Sequence, residues 1–315
     1  LFAMRAFHLG ERVDEANAAL NELCTYHLER PETLLDVHSF PSVTDALLRL
    51  GKFYGPRGSM AAGRLSAETY GRLLETMWAW ARVKSKVADA EVTNSQTWWL
   101  EYSENHHAQH FSTCWAFSML LRDEVAYRDR PYEDGRTARE HYRAWTDYLR
   151  EYLRQRAAKG ALIEIDSPSY AAATLKGIYN LYDLSDDEGL RRRAGQFLDL
   201  YWALWAEQQI DAVHGGAKTR TYGDSAQRGT DFVRRAAWYA LGVGDPKFVH
   251  ASMLPFVTTT WRMADVVIAL ALEPRGAAPY EVRQRRMGLA HAGFSKPPHY
   301  HLRTDFGGIL RTSHV

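Results

Sequence analysis

The chain has 315 residues, of which 46% are hydrophobic, 24% are charged and 12% are aromatic, and its formal net charge is +1. This composition is typical of a globular protein with a sizeable core, arranged as one large domain or two modest ones. The near-zero net charge excludes a strong overall attraction to nucleic acid or to an acidic membrane surface, and no apolar run reaches the roughly 18 residues that a membrane span needs. We therefore expect neither a nucleic-acid partner nor a membrane partner.

Two further features of the composition bear on function. The chain has 10 tryptophans and 17 tyrosines. Some of these rings belong to the core, but a surplus also suits a cleft that stacks on flat-faced ligands such as sugar rings. The two cysteines, Cys24 and Cys114, fall in predicted helices, so we expect buried thiols rather than a disulfide framework. The chain begins with leucine and shows no charged-then-apolar leader, which indicates a piece of a longer or processed protein.

Apolar residues at helical spacing, capping residues and proline or glycine stops predict helices along nearly the whole chain. The predicted helices are 11–30, 42–50, 66–83, 106–124, 137–158, 168–182, 190–209, 229–241 and 261–272. Strand signals occur only in 300–315, as two short extended runs around Gly307 and Gly308. The pattern predicts an all-α fold of antiparallel helix pairs, in which an (α/α) toroid, complete or incomplete, fits about as well as a bundle. We assign 1–295 to this helical domain, and 296–315 to the start of a β-sheet domain or an extended tail.

The first of three polar, aromatic segments precedes the predicted helix at 106–124. Ser103 is its predicted N-cap, which puts Glu104, Asn105 and His106 in the first turn, where free backbone N–H groups and the helix dipole favour anionic ligands. A core helix does not need its polar groups gathered at one end, whereas a binding site does. The segment also contains Trp98, Trp99, His107 and His110.

The other two segments also lie close to predicted helices. The second runs from 160 to 170 and includes Glu164, Asp166 and Tyr170. The third runs from 214 to 222 and contains two consecutive glycines followed by cationic and aromatic residues, namely Lys218, Arg220 and Tyr222. The match of this third segment to a phosphate-binding loop is poor, because the glycine spacing and the final serine or threonine are missing. Each segment alone is also compatible with ordinary turns and core packing, but three together favour a site.

At this point the sequence resembles the helical-toroid polysaccharide lyases, the group of alginate, chondroitin and heparinase-like lyases. Asn105 and His106 at a helix start resemble their Asn-His element, Tyr170 after a glycine-containing loop resembles their tyrosine, and Arg220 is the best match to their arginine. The resemblance covers about 90–225. The alginate-lyase element has a second asparagine where Glu104 stands, and the chondroitin-lyase type places its asparagine and histidine far apart, so the sugar is not identified. The resemblance implies a toroid followed by a β-sandwich, and cleavage of a uronic-acid glycan by β-elimination.

The residue types fit that chemistry on their own account. Asn105 is able to donate hydrogen bonds to a uronate carboxylate and so neutralise it, which makes the adjacent C–H more acidic. His106 is suited to act as the base or as a further hydrogen-bond donor, and Tyr170 to deliver or remove the proton at the leaving glycosidic oxygen. Arg220 and Lys218 would hold the anionic chain. We predict Asn105, His106, Tyr170 and Arg220 as catalytic, and the substrate-binding residues as Trp98, Trp99, Glu104, His110, Glu164, Lys218 and Tyr222.

Three other hypotheses remain open at the level of sequence. A glycoside hydrolase on a similar toroid would use carboxylates among Glu104, Glu164 and Asp166 as its acid and base. A glycan-binding protein without activity would use the tryptophan-rich segment alone. A zinc enzyme would use His106 and His110, spaced four residues apart, but lacks a companion ligand motif, so we predict no metal and no cofactor. A polysaccharide or oligosaccharide is the expected ligand, which suggests a secreted or periplasmic location and leaves the oligomeric state open.

Overall fold

The computed structural model describes most of the chain, which divides into two compact units. Unit 1 comprises Leu1–Glu91 and His110–Asp147, and unit 2 comprises Val92–Gln109 and Tyr148–Val315. The described residues are mostly helical, which confirms the predicted all-α class, while the toroid stays a prediction. They are residues 1–36, 41–94, 97, 103–164, 167, 169–215, 218, 220, 223, 232–244, 253–273, 281–287 and 308–314.

Helices make up the described part of unit 1, and three of them continue across the boundary between the units. The helices within unit 1 are α1 (Phe2–Leu9), α2 (Val13–Glu29), α3 (Pro31–Leu35), α4 (Pro41–Tyr54) and α5 (Ala67–Lys84). The helices that contain residues of both units are α6 (Val87–Asn94), α7 (Glu104–Leu121) and α8 (Ala138–Lys159).

Unit 2 adds further helices and two small antiparallel sheets. Its elements are α9 (Tyr170–Leu184), α10 (Glu188–Ala206), β1 (Gln209–Ile210), β2 (Val213–His214), α11 (Phe232–Leu241), α12 (Leu254–Thr258), α13 (Asp265–Leu272), β3 (Glu281–Met287) and β4 (Gly308–His314). Strand β1 pairs with β2, and β3 pairs with β4 from Glu281 opposite His314 to Met287 opposite Gly308. The extended run predicted after Gly307 is therefore a strand, whereas the run from 300 to 307 lies outside the described residues.

The helix ends test the capping predictions. Ser66 caps α5 as predicted, because its side chain accepts a hydrogen bond from the backbone N–H of Thr69 at 3.1 Å. Pro31 does not only stop α2: it also occupies the first position of α3, where its missing N–H costs nothing. Asp187 is the N-cap of α10, since it accepts from Leu190 N–H at 2.7 Å, and the helix therefore begins at Glu188 rather than at the predicted residue 190.

Aromatic side chains fill the cores of both units. Trp80, Trp115 and Trp145 are fully buried in unit 1, as are Trp202 and Trp205 in unit 2. Burial of such large rings is the main source of stability for helices that are too short to persist alone.

Helices α9 and α10 pack closely in unit 2. Gly195 of α10 faces the ring of Tyr182, and a Cβ at that position would come within 3.0 Å of it. Near this contact, the indole N–H of Trp202 donates to the hydroxyl of Tyr179 at 2.7 Å. Helix α9, which begins at Tyr170, is therefore held against α10 by these contacts in its second half.

Two other sequence predictions concern thiols and membranes. Cys24 and Cys114 are both buried and unbonded to each other, as predicted. Among the residues that the structure describes, none of the helices has both the length and the apolar character needed to cross a bilayer.

Candidate active site

The first turn of α7 presents a connected group of polar side chains. Ser103 precedes the helix, and its backbone carbonyl accepts from His107 N–H at 2.9 Å, which sets the first helical turn. The Ser103 hydroxyl lies 2.7 Å from Asn105 Oδ1 and 2.7 Å from His106 Nδ1. Asn105 is 4% exposed, so this turn is buried on the side that carries the amide.

Arg220 joins the three segments that the sequence singled out. Its Nη1 donates to Asn105 Oδ1 at 2.9 Å and to Glu164 Oε1 at 2.8 Å. Its guanidinium carbon lies 3.5 Å from the centroid of the Tyr170 ring, which is a close cation–π contact. These residues come from the start of α7, the loop after α8, the start of α9 and the segment after β2, and all of them belong to unit 2. We call Ser103, Asn105, His106, Glu164, Tyr170 and Arg220 the Arg220 cluster.

The hydrogen-bond partners determine where the protons lie in this cluster. Arginine has donors only, so the Asn105 atom that faces Arg220 is the carbonyl oxygen, and Nδ2 is the NH₂ group. The Ser103 hydroxyl has one proton, which goes to that same oxygen because the oxygen only accepts. Ser103 must then accept from His106 Nδ1–H, so the neutral His106 ring carries its lone pair on Nε2. Among the described residues, Asn105 Nδ2 makes no hydrogen bond.

Glu104 is engaged in a different way from its neighbours. It is fully buried, and its Oε1 accepts from Arg156 Nε at 3.2 Å and from Ile163 N–H at 2.9 Å. Its Oε2 accepts from Glu164 N–H at 2.8 Å. The side chain therefore ties the start of α7 to α8 and to the loop that follows it.

Glu164 is the carboxyl group of this cluster, and its surroundings change its acidity. It is 2% exposed, and its Oε2 has no hydrogen-bond partner among the described residues. Burial, and then the nearby Glu104 carboxylate, raise the pKa of Glu164 to about 7, against the opposing effect of Arg220. A carboxyl group that titrates near neutral pH is suited to exchange protons or to hold one while an anion binds.

The backbone is strained at two points that lead to these side chains. Arg220 has a φ of 50°, and Ala161 has a φ of 63° directly after Gly160 at 102°. Left-handed φ values cost non-glycine residues about 1–2 kcal/mol each. The Ala161 N–H donates to the carbonyl of Arg156 at 2.8 Å, so the tight exit from α8 closes the helix end and directs the chain toward Glu164.

Aromatic residues on α8 pack against Arg156 and against His107 in the first turns of α7, and the sequence analysis missed them. The guanidinium of Arg156 lies 4.5 Å from the centroid of the Tyr152 ring, and the His107 ring stacks on Tyr152 at 5.9 Å. His107 Nε2 also lies 2.5 Å from the hydroxyl of Tyr148. The spacing of Tyr148, Tyr152 and Arg156, four residues apart, places them on one helix face and was the signal available in the sequence.

The remaining predicted residues do not join the Arg220 cluster among the described contacts. His110 belongs to unit 1, where its ring packs against Trp80 at 5.5 Å, and burial lowers its pKa to about 4. Lys218 is partly exposed two residues before Arg220. Trp98, Trp99, Asp166 and Tyr222 lie outside the described residues. No group of three or more histidine, cysteine, aspartate or glutamate side chains able to hold a metal occurs in the described part of the chain.

A separate cavity of about 540 Å³ lies elsewhere in unit 2 and contains none of the predicted site residues. Its walls combine aromatic and aliphatic side chains, with Arg262 and Asp265 as the charged residues in the lining. The aromatic wall residues are Tyr179, Trp202, Tyr239, Phe256 and Trp261.

The Arg220 cluster combines groups that serve acid–base chemistry on an anionic substrate. It offers the amide donor of Asn105, the positive charge of Arg220, the lone pair of His106 and the hydroxyl of Tyr170. Comparison with protein-family models, with curated proteins and with solved structures gives no match to this chain.

Proposed function

We propose that the Arg220 cluster is the active site of a polysaccharide lyase, which cleaves a uronic-acid-containing glycan by β-elimination. The observation that carries this proposal is the shared position of Arg220, which contacts Asn105, Glu164 and Tyr170 together. Residues from distant parts of the chain rarely meet around one partly buried arginine for packing alone, because their polar groups must then be desolvated.

Each proposed step follows from the contacts in the cluster. The Asn105 amide donates to the uronate carboxylate, and Arg220 balances the charge that moves onto this carboxylate as the adjacent C–H is deprotonated. His106 Nε2 accepts that proton, consistent with the tautomer that Ser103 imposes on the ring. The electron pair of the C–H bond forms the new carbon–carbon double bond. The glycosidic C–O bond breaks, and the Tyr170 hydroxyl protonates the leaving oxygen.

The acidity of Glu164 supports an anionic substrate in particular. If Glu164 were ionised, it would neutralise Arg220 and repel a uronate carboxylate. With a pKa of about 7, Glu164 becomes neutral at little cost when an anion approaches. The positive charge of Arg220 then balances the charge of the ligand.

The first experiment is a screen of uronate polymers with the purified chain, which follows ultraviolet absorbance and reducing ends together. Elimination creates a conjugated, unsaturated uronate, so absorbance must rise in step with reducing ends. A polymer that yields reducing ends without absorbance would contradict the lyase proposal, and silence on every uronate polymer would favour the glycan-binding hypothesis.

Two variants test the assigned roles on any polymer that is cleaved. Tyr170→Phe keeps the ring that faces Arg220 and removes only the hydroxyl, and His106→Gln removes the proton acceptor. Loss of an acid or a base typically lowers the rate by about 100- to 10,000-fold. A matched control is Tyr239→Phe, because Tyr239 lies in the separate cavity of unit 2. Full activity in both variants would show that the roles are wrongly assigned.

One observation favours a second candidate, a glycoside hydrolase. The raised pKa of Glu164 also suits a general acid that protonates a glycosidic oxygen. Glu104 does not suit the partner carboxylate, because three donors already occupy it, which leaves Asp166 for that role. The same screen separates the two functions, since hydrolysis produces reducing ends without the double bond.

A further inference from the structure

We propose that Glu104 is a positioning residue that acts through Glu164: it fixes the loop that carries Glu164 and sets the charge that Glu164 presents to Arg220. This inference rests on the proposed function for its catalytic meaning, but its structural part is testable without any substrate. It replaces the role in substrate binding that the sequence suggested for Glu104.

The hydrogen bonds of Glu104 explain how it fixes the loop. Its two carboxylate oxygens accept from the consecutive backbone N–H groups of Ile163 and Glu164, at 2.9 and 2.8 Å. These bonds set both the position and the direction of the backbone from which the Glu164 side chain leaves. Hydrogen bonds to a charged acceptor are about twice as strong as neutral ones, so a buried carboxylate is well suited to hold an irregular segment.

Burial and the ion pair with Arg156 keep the Glu104 side chain away from substrate. Its side chain and that of Arg156 are 1% and 0% exposed, and Arg156 Nε donates to Glu104 at 3.2 Å. The Arg156 guanidinium also lies over the Tyr152 ring. A carboxylate surrounded by three donors and closed off from solvent has no remaining contact to offer a glycan.

The charge of Glu104 acts on Glu164 at close range. Two carboxylates that share a buried site cannot both ionise easily, so the one with fewer donors takes the proton. Glu104 has three donors, whereas Glu164 has Arg220 on Oε1 and no partner on Oε2 among the described residues. In the part of the chain that the structure describes, the other titratable or charged groups in contact with this pair or with its partners include Arg156, Arg220, Tyr152 and Tyr170.

The direct test is to measure the titration of Glu164 by carbon-13 NMR of the glutamate carboxyl carbons in the full chain. The Glu164 signal is assigned by its loss in Glu164→Gln. In the wild-type chain we expect a midpoint near pH 7. In Glu104→Gln we expect the midpoint to fall by about one pH unit or more, because the neighbouring negative charge is gone.

Two further variants keep the test decisive if Glu104→Gln folds poorly. Glu104→Gln combined with Arg156→Gln removes both members of this buried ion pair and should still lower the midpoint. Glu104→Asp keeps the charge, so it should keep the midpoint within about half a pH unit. Glu151→Gln on α8 is the control, because its carboxylate pairs with Arg154 near the surface.

The outcomes separate positioning from mere stabilisation. If the Glu164 midpoint stays unchanged in both charge-removing variants while thermal stability falls, Glu104 is only structural and the proposal is wrong. On a cleaved polymer, the pH profile of kcat/KM should shift in Glu104→Gln in the same direction as the Glu164 midpoint. If the wild-type chain cleaves no uronate polymer but the Glu164 midpoint still falls in Glu104→Gln, the lyase function is contradicted. The coupling of Glu104 to Glu164 is then confirmed independently of that function.

Discussion

Each unit contains a buried network of polar side chains, and the two networks differ in how completely their hydrogen bonds are satisfied. In unit 1, Trp145 Nε1 donates to Ser85 Oγ at 2.8 Å, Ser85 lies 2.8 Å from His141 Nδ1, and His141 Nε2 lies 3.1 Å from Asp134 Oδ1. Asp134 also accepts from the backbone N–H groups of Val87 and Arg136. Burial lowers the pKa of His141, so the neutral ring accepts from Ser85 and donates to Asp134.

This series of hydrogen bonds connects a serine, a histidine and an aspartate in the same order as a catalytic triad, but its surroundings indicate a structural role. Ser85 and His141 are fully buried, and Tyr132 stacks on the His141 ring at 4.1 Å. The Ser85 oxygen already receives the Trp145 N–H, so it is not placed to attack a substrate. The network joins the end of α5 to α8 and to the turn at Asp134.

The Arg220 cluster in unit 2 has similar residue types but leaves polar atoms unused. Asn105 Nδ2 and Glu164 Oε2 make no hydrogen bond among the described residues, and Arg220 is held at a strained φ. When every buried polar atom in a network is hydrogen-bonded, those bonds offset the free-energy cost of desolvation and the network stabilises the fold. When some polar atoms lack hydrogen bonds, the fold is less stable, but those atoms are able to bind a ligand. Variants in unit 1 should therefore lower stability, and variants in the Arg220 cluster should lower activity.

The largest effect is expected for Arg220→Met. Loss of the guanidinium removes the cation that would balance the substrate carboxylate, so kcat/KM should fall by about 100-fold or more. The free energy of unfolding should change by less than about 1 kcal/mol, because Glu164 takes up a proton and the strained backbone is not made worse. Enzyme kinetics and urea unfolding of the same variant test both statements.

The control for this prediction is Arg154→Met, which removes an exposed arginine paired with Glu151 on α8. It should leave both activity and stability nearly unchanged. If Arg220→Met instead lost several kcal/mol of stability and retained its activity, the Arg220 cluster would be a structural network like that of unit 1.

The next effect is expected for Ser85→Ala. The variant leaves the Trp145 N–H and the His141 Nδ1 without their shared partner inside the core, which should lower the free energy of unfolding by about 1–3 kcal/mol. Urea unfolding measures this loss, and Ser59→Ala, at an exposed position, is the control. Activity should not change; a loss of activity with unchanged stability would contradict the assignment of a structural role.

The sequence was sufficient to predict the helical class and the three segments that contribute to the Arg220 cluster, but not the contacts within that cluster. Asn105, Tyr170 and Arg220 were found because polar residues next to helix starts and glycine-rich loops are visible along the chain. Their meeting at one point depends on how α7, α8 and α9 pack, which no local pattern encodes. Arg156 was missed because an arginine near the end of an amphipathic helix is usually solvated, and only its tertiary pairing with Glu104 reveals otherwise.

The boundaries and short elements were also beyond sequence reasoning, for local physical reasons. The hairpin of β1 and β2 has strands of two residues each, too short for an alternating pattern to be recognised. Strand β3 contains mainly charged and polar residues, and its pairing with β4 supplies what its own composition does not indicate. His110 was predicted to contact substrate. It is four residues from His106 on the same helix, as in a pair of metal ligands, but its ring packs against Trp80 in unit 1.

A smaller effect is expected from the pH dependence of unit 1. Burial, and then the charge of Lys84, lower the pKa of His110 to about 4, whereas an unfolded histidine titrates near about 6.5. The unfolded chain therefore binds the proton first, and this histidine lowers the free energy of unfolding by about 2 kcal/mol from pH 7 to pH 5. Urea unfolding at the two pH values measures this effect. Between pH 7 and pH 5, the free energy of unfolding of His110→Gln should fall by about 2 kcal/mol less than that of the wild-type chain. An equal loss in both proteins would mean that His110 is not buried in its neutral form.

The smallest effect is expected at the turn of the β1–β2 hairpin, where backbone strain occurs without a functional side chain. Asp211 and Ala212 form the two-residue connection with φ values of 49° and 63°, the positive values that a type I′ turn requires. Asp211 is exposed, so Asp211→Gly should relieve strain without loss of packing and raise the free energy of unfolding by about 0.5 kcal/mol.

The matched control is Asp129→Gly, an exposed aspartate that does not have a positive φ, where glycine should slightly lower stability by increasing the freedom of the unfolded chain. Urea unfolding measures both variants, and Asp211→Gly should also retain full activity. The strained backbone at Asp211 is comparable with the strained backbone at Arg220, whose side chain belongs to the Arg220 cluster. Arg220→Gly would relieve a similar strain at a φ of 50° but remove the side chain that contacts Asn105, Glu164 and Tyr170. A variant that becomes more stable and loses its activity at that position would show that the strain at Arg220 is maintained for function, whereas the strain at Asp211 is not.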